Sequence, residues 1–585
     1  MTSIDARPGV TLAAWRTVDD PAAVAHARSG AHVLALVNDR WEASHAAMSR
    51  PLNETLRFAI EDEWTGLWAA RPRRAEPALE RLAELFTDAF DVDRERHVIR
   101  GFVADLDRGG DPLRAAVARV VAGWGGPATV VGRVKHSSGS SGASALQVTA
   151  AGLPFPLSWY SGSTLRAEYI DHMVFLASSC GVELPGVSAS ASYDLDRATV
   201  RARTVDSDTT SGMVLIGGRF GAMLAEALGS VVVAPSNDAA ALVAWGGARE
   251  TDQAAWLTGR TLYELGPYVS EDVLVRNSAF FAGRVLGRVR ARPREDRLAS
   301  LLKTVFPRGT DNFYRTYSRN LGKLRTARGM TQRVATAARH DAVVEELLDA
   351  AGLARLRDVR FEFGDDVGAA VSSPTEHNAS SVIANVAGAA ERRRAALCGA
   401  SPPTEHLRAF STSVSYRNST NSVTFPVAML SYPMLGEGEA DLGDYAYFGG
   451  VVGHELAHAI VPREPAEVDR WCRQIGIDRA LDAERPDRSY TLQERRELLC
   501  DALGFRWAVV AAREDLSGGG VTRLQTLRFL SLWATRFRGS ARHDGRGSLE
   551  VGIHPSPALR CGVALAIASN VDLKGNNVAQ HFAAR

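Results

Sequence analysis

Residues 449–458 read Gly-Gly-Val-Val-Gly-His-Glu-Leu-Ala-His and contain the pattern His-Glu-x-x-His. Side chains four residues apart lie one above the other on a helix, so His454 and His458 can reach one metal ion at about 2.0–2.1 Å. Glu455 follows the first histidine and can deprotonate a water molecule at that metal without being a ligand. Apolar residues before the motif and Pro462 after it favour a buried helix that ends there. The stretch therefore predicts a zinc site on a buried helix.

A tetrahedral zinc ion held by two histidines and a water needs a third protein ligand. Residues 491–505 read as a helix that carries Glu497 and Asp501 four residues apart on one face. Glu497 could bind the metal while Asp501 orients a ligand histidine, since such a carboxylate fixes the tautomer of the ring. Glu494 is a second candidate for the third ligand. We prefer Glu497 because it stands four residues before Asp501, whereas Glu494 does not.

Three stretches resemble, in order and type, motifs of the neprilysin family of zinc endopeptidases: 424–430, 449–458 and 497–504. The resemblance implies one zinc ion with three protein ligands: His454, His458 and Glu497. It also implies that Glu455 is the general base and that Asp501 supports a ligand histidine.

The neprilysin family also carries a later histidine that stabilises the oxyanion and, six residues on, an arginine that holds the substrate. His554 and Arg560 match that spacing. An imidazole donor stabilises charge on a tetrahedral intermediate, and a guanidinium fork suits a carboxylate or paired carbonyls. The resemblance therefore implies a catalytic role for His554 and a substrate-binding role for Arg560.

Two positions depart from the family pattern. Where the family usually has Asn-Ala-Phe-Tyr, whose first two residues pair with the substrate backbone, this chain has Ser413 and Val414. We expect these two residues, with Val451 beside the scissile bond, to bind substrate, although a hydroxyl is shorter than a carboxamide. The family commonly has a carboxylate three residues after the second ligand, and Val461 stands there instead. One supporting group is therefore missing, and Glu464 is a possible substitute.

Amphipathic helical patterns dominate the chain and strand patterns are short, so we expect a mainly α fold with small β elements (α+β). By resemblance, a thermolysin-like zinc lobe at 1–205 and 396–585 joins a helical cap lobe at 206–395. The match is poor in the N-terminal part. In the family the two lobes enclose a cavity, which would admit only short peptides or small amides as substrate.

Composition describes a large globular chain of 585 residues, 45% hydrophobic and 23% charged. A net charge of +1 gives no electrostatic reason to expect nucleic acid or an anionic membrane as partner. The start lacks the apolar region of a signal peptide, and no stretch reaches the roughly 18 apolar residues of a membrane span. Five scattered cysteines without framework spacing fit a reducing compartment, so we expect a cytoplasmic protein.

The expected function is zinc-dependent hydrolysis of a peptide or amide bond in a short peptide or a peptide-derived metabolite. Glu455 would take the proton of the attacking water and pass it to the leaving amine. Two alternatives stay open at this point. The zinc could act as a Lewis acid in a non-peptidase reaction on a small metabolite, or the site could have decayed into a binding module. Against decay, Glu455, His554 and Arg560 are all present.

Overall fold

The structure of the protein, a computed structural model, describes most of the chain between residues 16 and 570. The described residues are 16, 18, 24, 27, 29–44, 52–70, 77–108, 110–135, 144–151, 160, 163–205, 213–283, 297–363, 380–398, 411–418, 420–484, 490–517, 523–537 and 555–570.

The secondary structure is mainly helical, which confirms the expected fold class. The α-helices are Gly30–Ser44, Leu52–Ala69, Pro77–Thr87, Val92–Arg108, Pro112–Ala122, Ser163–Cys180, Gly186–Val205, Gly218–Leu228, Ser236–Gly246, Glu250–Leu265, Glu271–Ser278, Leu298–Val305, Pro307–Tyr317, Leu324–Arg339, Ala342–Leu347, Ala350–Arg357, Val382–Cys398, Leu442–Asp444, Gly450–Ala457, Pro465–Ile475, Ile477–Glu484, Leu492–Ser517, Arg523–Thr535 and Pro557–Asn570. Short 3-10 segments lie at Gly266–Tyr268, Arg319–Lys323 and Val427–Leu430, and π-helical segments at Ala279–Gly283 and Tyr445–Gly449. Among the described helices, none is long and apolar enough to cross a membrane.

Two small sheets accompany the helices. The strands of the first are β1 Ala128–Lys135, β2 Ser144–Ala150, β3 Met213–Leu215 and β4 Val232–Pro235, in the order β1-β2-β4-β3. The β2–β4 pair is parallel, and the other two pairs are antiparallel. The strands of the second are β5 Arg360–Phe363, β6 Ser415–Arg417 and β7 Ser422–Phe425, in the order β5-β7-β6. β7 pairs with β5 in parallel and with β6 in antiparallel register, which leaves β6 at an edge.

The chain divides into two compact units. The first unit comprises 1–70, 311–371 and 407–585, and the second comprises 71–310 and 372–406. Residues 71–205, which the family resemblance places in the zinc lobe, belong to the second unit in this division. The physical reason is long-range pairing, because β2 joins β4 in one sheet and Gly186–Val205 packs against the helices that follow β4. The functional roles of the two lobes stay a prediction.

The second unit has an apolar core on its sheet and a buried ionic helix cap. Phe220, Trp245 and Trp256 pack edge to face beside the sheet, with ring centroids 5.6–5.7 Å apart.

The buried carboxylate of Glu95 accepts hydrogen bonds from the Ser381 hydroxyl and from two backbone N–H groups at the start of Val382–Cys398, at 2.7–2.9 Å. An anion at a helix N-terminus satisfies N–H groups that have no partner inside the helix.

The first unit contains the zinc motif on two crossing helices, which we call the histidine helix (Gly450–Ala457) and the carboxylate helix (Leu492–Ser517). The helices meet at Gly453 and Gly504, where a Cβ on Gly504 would lie 2.5 Å from the backbone nitrogen of His454. A Cβ on Gly453 would lie 2.7 Å from the Gly504 Cα. Glycine is therefore required at both positions, because any side chain would push the helices apart beside His454.

Candidate metal centre

The two motif histidines face each other at the end of the histidine helix. His454 is buried, and the side chain of His458 is 22% exposed. Their Nε2 atoms lie 3.2 Å apart. Two imidazole lone pairs at this distance repel each other unless a proton or a metal ion lies between them. The pair is therefore arranged to hold a cation.

The carboxylate helix adds an acidic oxygen to this pair. Glu497 is 2% exposed, and its Oε2 lies 3.3 Å from His454 Nε2 and 3.9 Å from His458 Nε2. Ligands bound tetrahedrally at 2.0–2.1 Å are about 3.3 Å apart, so the triangle of three donors has nearly the size that a zinc ion requires. Two imidazoles and a carboxylate are also a donor set that catalytic zinc sites use. The residues present therefore fit a zinc ion.

Glu494, the other candidate for the third ligand, has a different role. Its Oε2 accepts hydrogen bonds from the backbone N–H and the hydroxyl of Thr491, at 2.9 and 3.1 Å. The Thr491 hydroxyl in turn accepts from the Glu494 N–H. This reciprocal pair is a capping box at the start of the carboxylate helix. Of the two glutamates, Glu497 is the one beside the histidines.

Asp501 links His454 to an arginine. Asp501 Oδ1 lies 3.0 Å from His454 Nδ1, and the Arg560 guanidinium donates to both carboxylate oxygens at 2.6 Å. Burial alone would raise the pKa of Asp501, but Arg560 and His454 outweigh it and lower that pKa. An ionised carboxylate accepts hydrogen bonds only, so Nδ1 of His454 carries the proton and Nε2 is left for a metal.

The pKa values of the two histidines move in opposite directions in the metal-free site. Burial lowers the pKa of His454, but its contacts with Asp501 and Glu497 outweigh burial and raise it to about 9. The pKa of His458 falls to about 4 through burial and the nearby His454. The negative charge of the site is thus concentrated at His454, where a cation would be stabilised.

Two contacts to the donors were not identified from the sequence. The Cys500 Sγ lies 3.3 Å from His458 Nδ1. The Gln493 amide donates to Glu497 Oε1 at 2.8 Å. Gln493 precedes Glu497 by four residues, so helical spacing could have predicted that contact. The Cys500 contact joins two helices and has no such local signal.

Glu455 lies beside the donors and is held by a strand. One oxygen of Glu455 and one ring nitrogen each of His454 and His458 lie within 4.8 Å of one another. The backbone N–H of Tyr416, on the edge strand β6, donates to Glu455 Oε2 at 2.8 Å. This bond holds the carboxylate in place, and nothing in the sequence indicated a role for Tyr416.

The expected substrate-binding residues lie around Glu455 and Asp501. Ser413 is exposed and Val414 half-buried, and both directly precede β6. Val451 is half-buried and stands one helical turn before Glu455, so the two side chains share a helix face. Arg560 is occupied by Asp501 as described above, and its side chain is 15% exposed. His554 lies outside the described residues.

Comparisons with known proteins identify solved structures that have a similar fold. No protein-family model matches the chain, and no curated protein matches it significantly. Among solved structures, the Mycobacterium tuberculosis zinc metalloprotease Zmp1 in complex with an inhibitor is similar at 18% identity and a TM-score of 0.68, covering 90% of this chain and 92% of that one. PepO from Lactobacillus rhamnosis is similar at 15% identity and a TM-score of 0.68, covering 93% and 97%. A Haemonchus galactose-containing glycoprotein complex follows at 11% identity and a TM-score of 0.56, covering 88% and 87%. The chain therefore has, over almost its whole length, the fold of the zinc metalloprotease Zmp1 and of PepO.

Proposed function

We propose that the protein is a zinc peptidase or amide hydrolase of the neprilysin type, acting on a short peptide or a peptide-derived metabolite. One observation carries the proposal. Three donor atoms of His454, His458 and Glu497 lie 3.2–3.9 Å apart, with the Glu455 carboxylate beside them. The similarity to the zinc metalloprotease Zmp1 supports it at the level of the fold.

In this proposal His454, His458 and Glu497 hold one zinc ion. Bound zinc would supply Lewis acidity, which lowers the pKa of a water molecule towards about 7 and stabilises negative charge on a substrate carbonyl. Asp501 keeps His454 in the tautomer that presents Nε2, and Arg560 keeps Asp501 ionised. The geometry that supports these roles is the 3.0 Å contact to His454 and the two-point contact to Arg560.

Glu455 is the general base of the proposed reaction. Its carboxylate takes the proton of the attacking water and then delivers it to the nitrogen of the leaving amine. The backbone N–H of Tyr416 donates to Glu455 Oε2 at 2.8 Å and holds the carboxylate beside the two histidines. Because a backbone N–H donates this bond, Glu455 is held in place without a second acidic side chain that could exchange protons with the substrate.

Substrate would bind along the segment that precedes β6. We assign Ser413 and Val414 to contacts with the substrate backbone. They lead into the edge strand β6, in which Tyr416 contacts Glu455. Val451 would line the pocket beside the scissile bond, one turn from Glu455. Arg560 would bind the substrate main chain or terminal carboxylate, and His554 would stabilise the oxyanion, as the family resemblance implies.

We also propose a reducing compartment, the cytoplasm, as the place of action. All five cysteines belong to the described residues, and none of the five forms a disulfide. A secreted protein of this size would more often use its cysteines in disulfides. Reaction with a thiol reagent in intact cells would test the redox state directly.

The decisive experiment compares the wild-type protein with Glu455→Gln. We expect about one zinc per chain in both proteins, since glutamine leaves the three donors in place. We expect wild type to cleave members of a short-peptide library, detected by mass spectrometry, and the variant to lose about 10²–10⁴-fold in rate. Glu226→Gln, which makes the same change at an exposed position on the helix Gly218–Leu228, is the matched control and should keep full activity. Zinc without any cleavage by wild type would favour the Lewis-acid alternative, and absence of zinc would overturn the proposal.

A further inference from the structure

The two histidines of the centre are supported by different chemical groups. His454 has the Asp501 carboxylate at its Nδ1, at 3.0 Å. His458 has the thiol of Cys500 at its Nδ1, at 3.3 Å. Ligand histidines usually donate their second ring N–H to a carboxylate, a carbonyl or a water, so a thiol at this position needs an explanation.

Both supports and the third ligand come from one face of the carboxylate helix. Cys500 and Asp501 follow Glu497 by three and four residues, the spacing at which helical side chains are neighbours. Cys500 is 0% exposed. Its sulfur touches Nδ1, while Nε2 of the same ring faces His454 and Glu497. Cys500 is therefore placed to orient the ring and not to bind the metal.

A thiol also suits the charge of this region. Glu455, Glu497 and Asp501 already bring three carboxylates to the two histidines. A fourth buried carboxylate would add repulsion and a desolvation cost. The position three residues after His458, where the family resemblance leads one to expect a carboxylate, is the buried Val461. A neutral sulfur accepts an N–H hydrogen bond without adding charge.

We propose that Cys500 is a positioning residue for the zinc site: its sulfur accepts a hydrogen bond from Nδ1–H of His458 and so presents Nε2 to the metal. The inference rests on the proposed function, because it needs a zinc ion at the centre. Sulfur is a weaker acceptor than a carboxylate, so His458 donates less charge to the metal than His454 does.

The test measures zinc affinity by competition with a chelator for wild type, Cys500→Ser and Cys500→Ala. Cys472→Ala is the matched control, because Cys472 is also a fully buried thiol but lies on the helix Pro465–Ile475. We expect about a 10-fold loss of affinity for Cys500→Ala, a smaller loss for Cys500→Ser, whose hydroxyl can accept the same bond, and no change for Cys472→Ala.

Two spectroscopic measurements separate positioning from general packing. In cobalt-substituted protein, Cys500→Ala should shift the visible absorption of the metal, and Cys472→Ala should leave it unchanged. In zinc-loaded wild type labelled with ¹⁵N-histidine, His458 should carry its proton on Nδ1 and bind through Nε2. This second measurement needs no variant, so it can overturn the proposal even if Cys500→Ala does not fold.

The outcomes distinguish the two proposals. Stoichiometric zinc in wild type together with unchanged affinity and unchanged cobalt spectrum in Cys500→Ala would overturn the role of Cys500 and leave the proposed function intact. Binding of zinc through Nδ1 of His458 would overturn it as well. Absence of zinc from wild type would overturn both.

Discussion

At the scale of single residues, Glu494 and Glu497 stand three positions apart on one helix but have different contacts. Glu497 Oε2 lies 3.3 Å from His454 Nε2, whereas the carboxylate of Glu494 closes a capping box with Thr491. The two glutamates are neighbours on the helix surface, but Glu494 stands in the first turn, where its carboxylate reaches back to the backbone N–H of Thr491. Local spacing to Asp501 favours Glu497, and the crossing of the helices places it beside the histidines.

The first prediction separates these glutamates. Glu497→Gln should lower zinc affinity by more than the roughly 10–100-fold that loss of a supporting residue costs, because it removes a donor. Glu494→Gln should keep the zinc and change stability by less than about 1 kcal/mol, because glutamine can close the same capping box with Thr491. Metal analysis after dialysis against a chelator measures the first effect, and urea unfolding the second. Loss of zinc in Glu494→Gln with retention in Glu497→Gln would reverse the assignment.

The second prediction concerns Asp196, a buried carboxylate in the second unit. Burial raises its pKa from 3.8 to about 6, against the opposing effects of Trp256, Arg260 and Tyr169. Trp256 donates to its Oδ1 at 2.5 Å. Because the folded pKa is above the unfolded value of about 3.9, the associated stability is complete below pH 4 and is lost as pH rises through 6.

Asp196→Asn should remove this pH dependence. Relative to wild type, the free energy of unfolding of the variant should rise by about 3 kcal/mol between pH 3 and pH 7, since one pKa unit corresponds to 1.36 kcal/mol. Denaturant unfolding at several pH values measures the difference between the free energies of unfolding of the two proteins. The other titrating groups contribute equally to both proteins, so their contributions cancel in this difference. A difference that stays constant with pH would contradict the prediction.

At the scale of elements, the centre depends on how closely two helices approach. The contact of Gly453 with Gly504 brings the carboxylate helix against the residue that precedes His454. A methyl group on Gly504 would lie 2.5 Å from the backbone nitrogen of His454, which cannot move without moving that histidine. Packing at this contact therefore determines how far apart the donor atoms of the two helices lie.

The third prediction tests this contact. Gly504→Ala should lower zinc affinity at least about 10-fold and destabilise the protein by about 1–3 kcal/mol, because the helices must separate. Gly66→Ala is the control, since Gly66 is exposed on the helix Leu52–Ala69 and a Cβ there would meet nothing within 4 Å. It should stabilise by up to about 1 kcal/mol. Equal effects of the two substitutions on zinc affinity would contradict the role of the crossing.

The fourth prediction concerns the ionic cap of Val382–Cys398. Glu95→Gln should destabilise the second unit by about 2–3 kcal/mol, because it weakens hydrogen bonds from the Ser381 hydroxyl and two backbone N–H groups to a buried charge. The same change at an exposed cap, Asp349→Asn, should be nearly neutral, since asparagine caps helices as well as aspartate does. Hydrogen exchange of peptides from 382–398 measures the effect, and equal protection in both variants would contradict it.

At the scale of the whole molecule, the metal would connect distant parts of one chain. His458 and Glu497 are separated by 39 positions, and Arg560 follows Asp501 by another 59. An ion that binds the folded state and not the unfolded chain stabilises the folded state by mass action. Zinc is therefore expected to contribute to the stability of the first unit as well as to its chemistry.

The fifth prediction follows from this linkage. A chelator should lower the unfolding temperature of wild type by several degrees, as expected for a loss of about 3 kcal/mol when zinc is present at 100 times its dissociation constant. His458→Ala should unfold at the same temperature with and without the chelator. Differential scanning calorimetry measures both, and a chelator effect of equal size in the variant would show that the metal acts elsewhere.

Local patterns in the sequence determined the helical class, the position of the histidine helix, the carboxylate helix and the four-residue step from Glu497 to Asp501. These features follow from helical periodicity, which acts over a few residues. Only the tertiary structure decided that Cys500 contacts His458, that the Tyr416 N–H donates to Glu455, and that 71–205 group with the second unit. Each of these depends on contacts between segments far apart in the chain. Such contacts form through packing and strand pairing, which no local period in the sequence encodes.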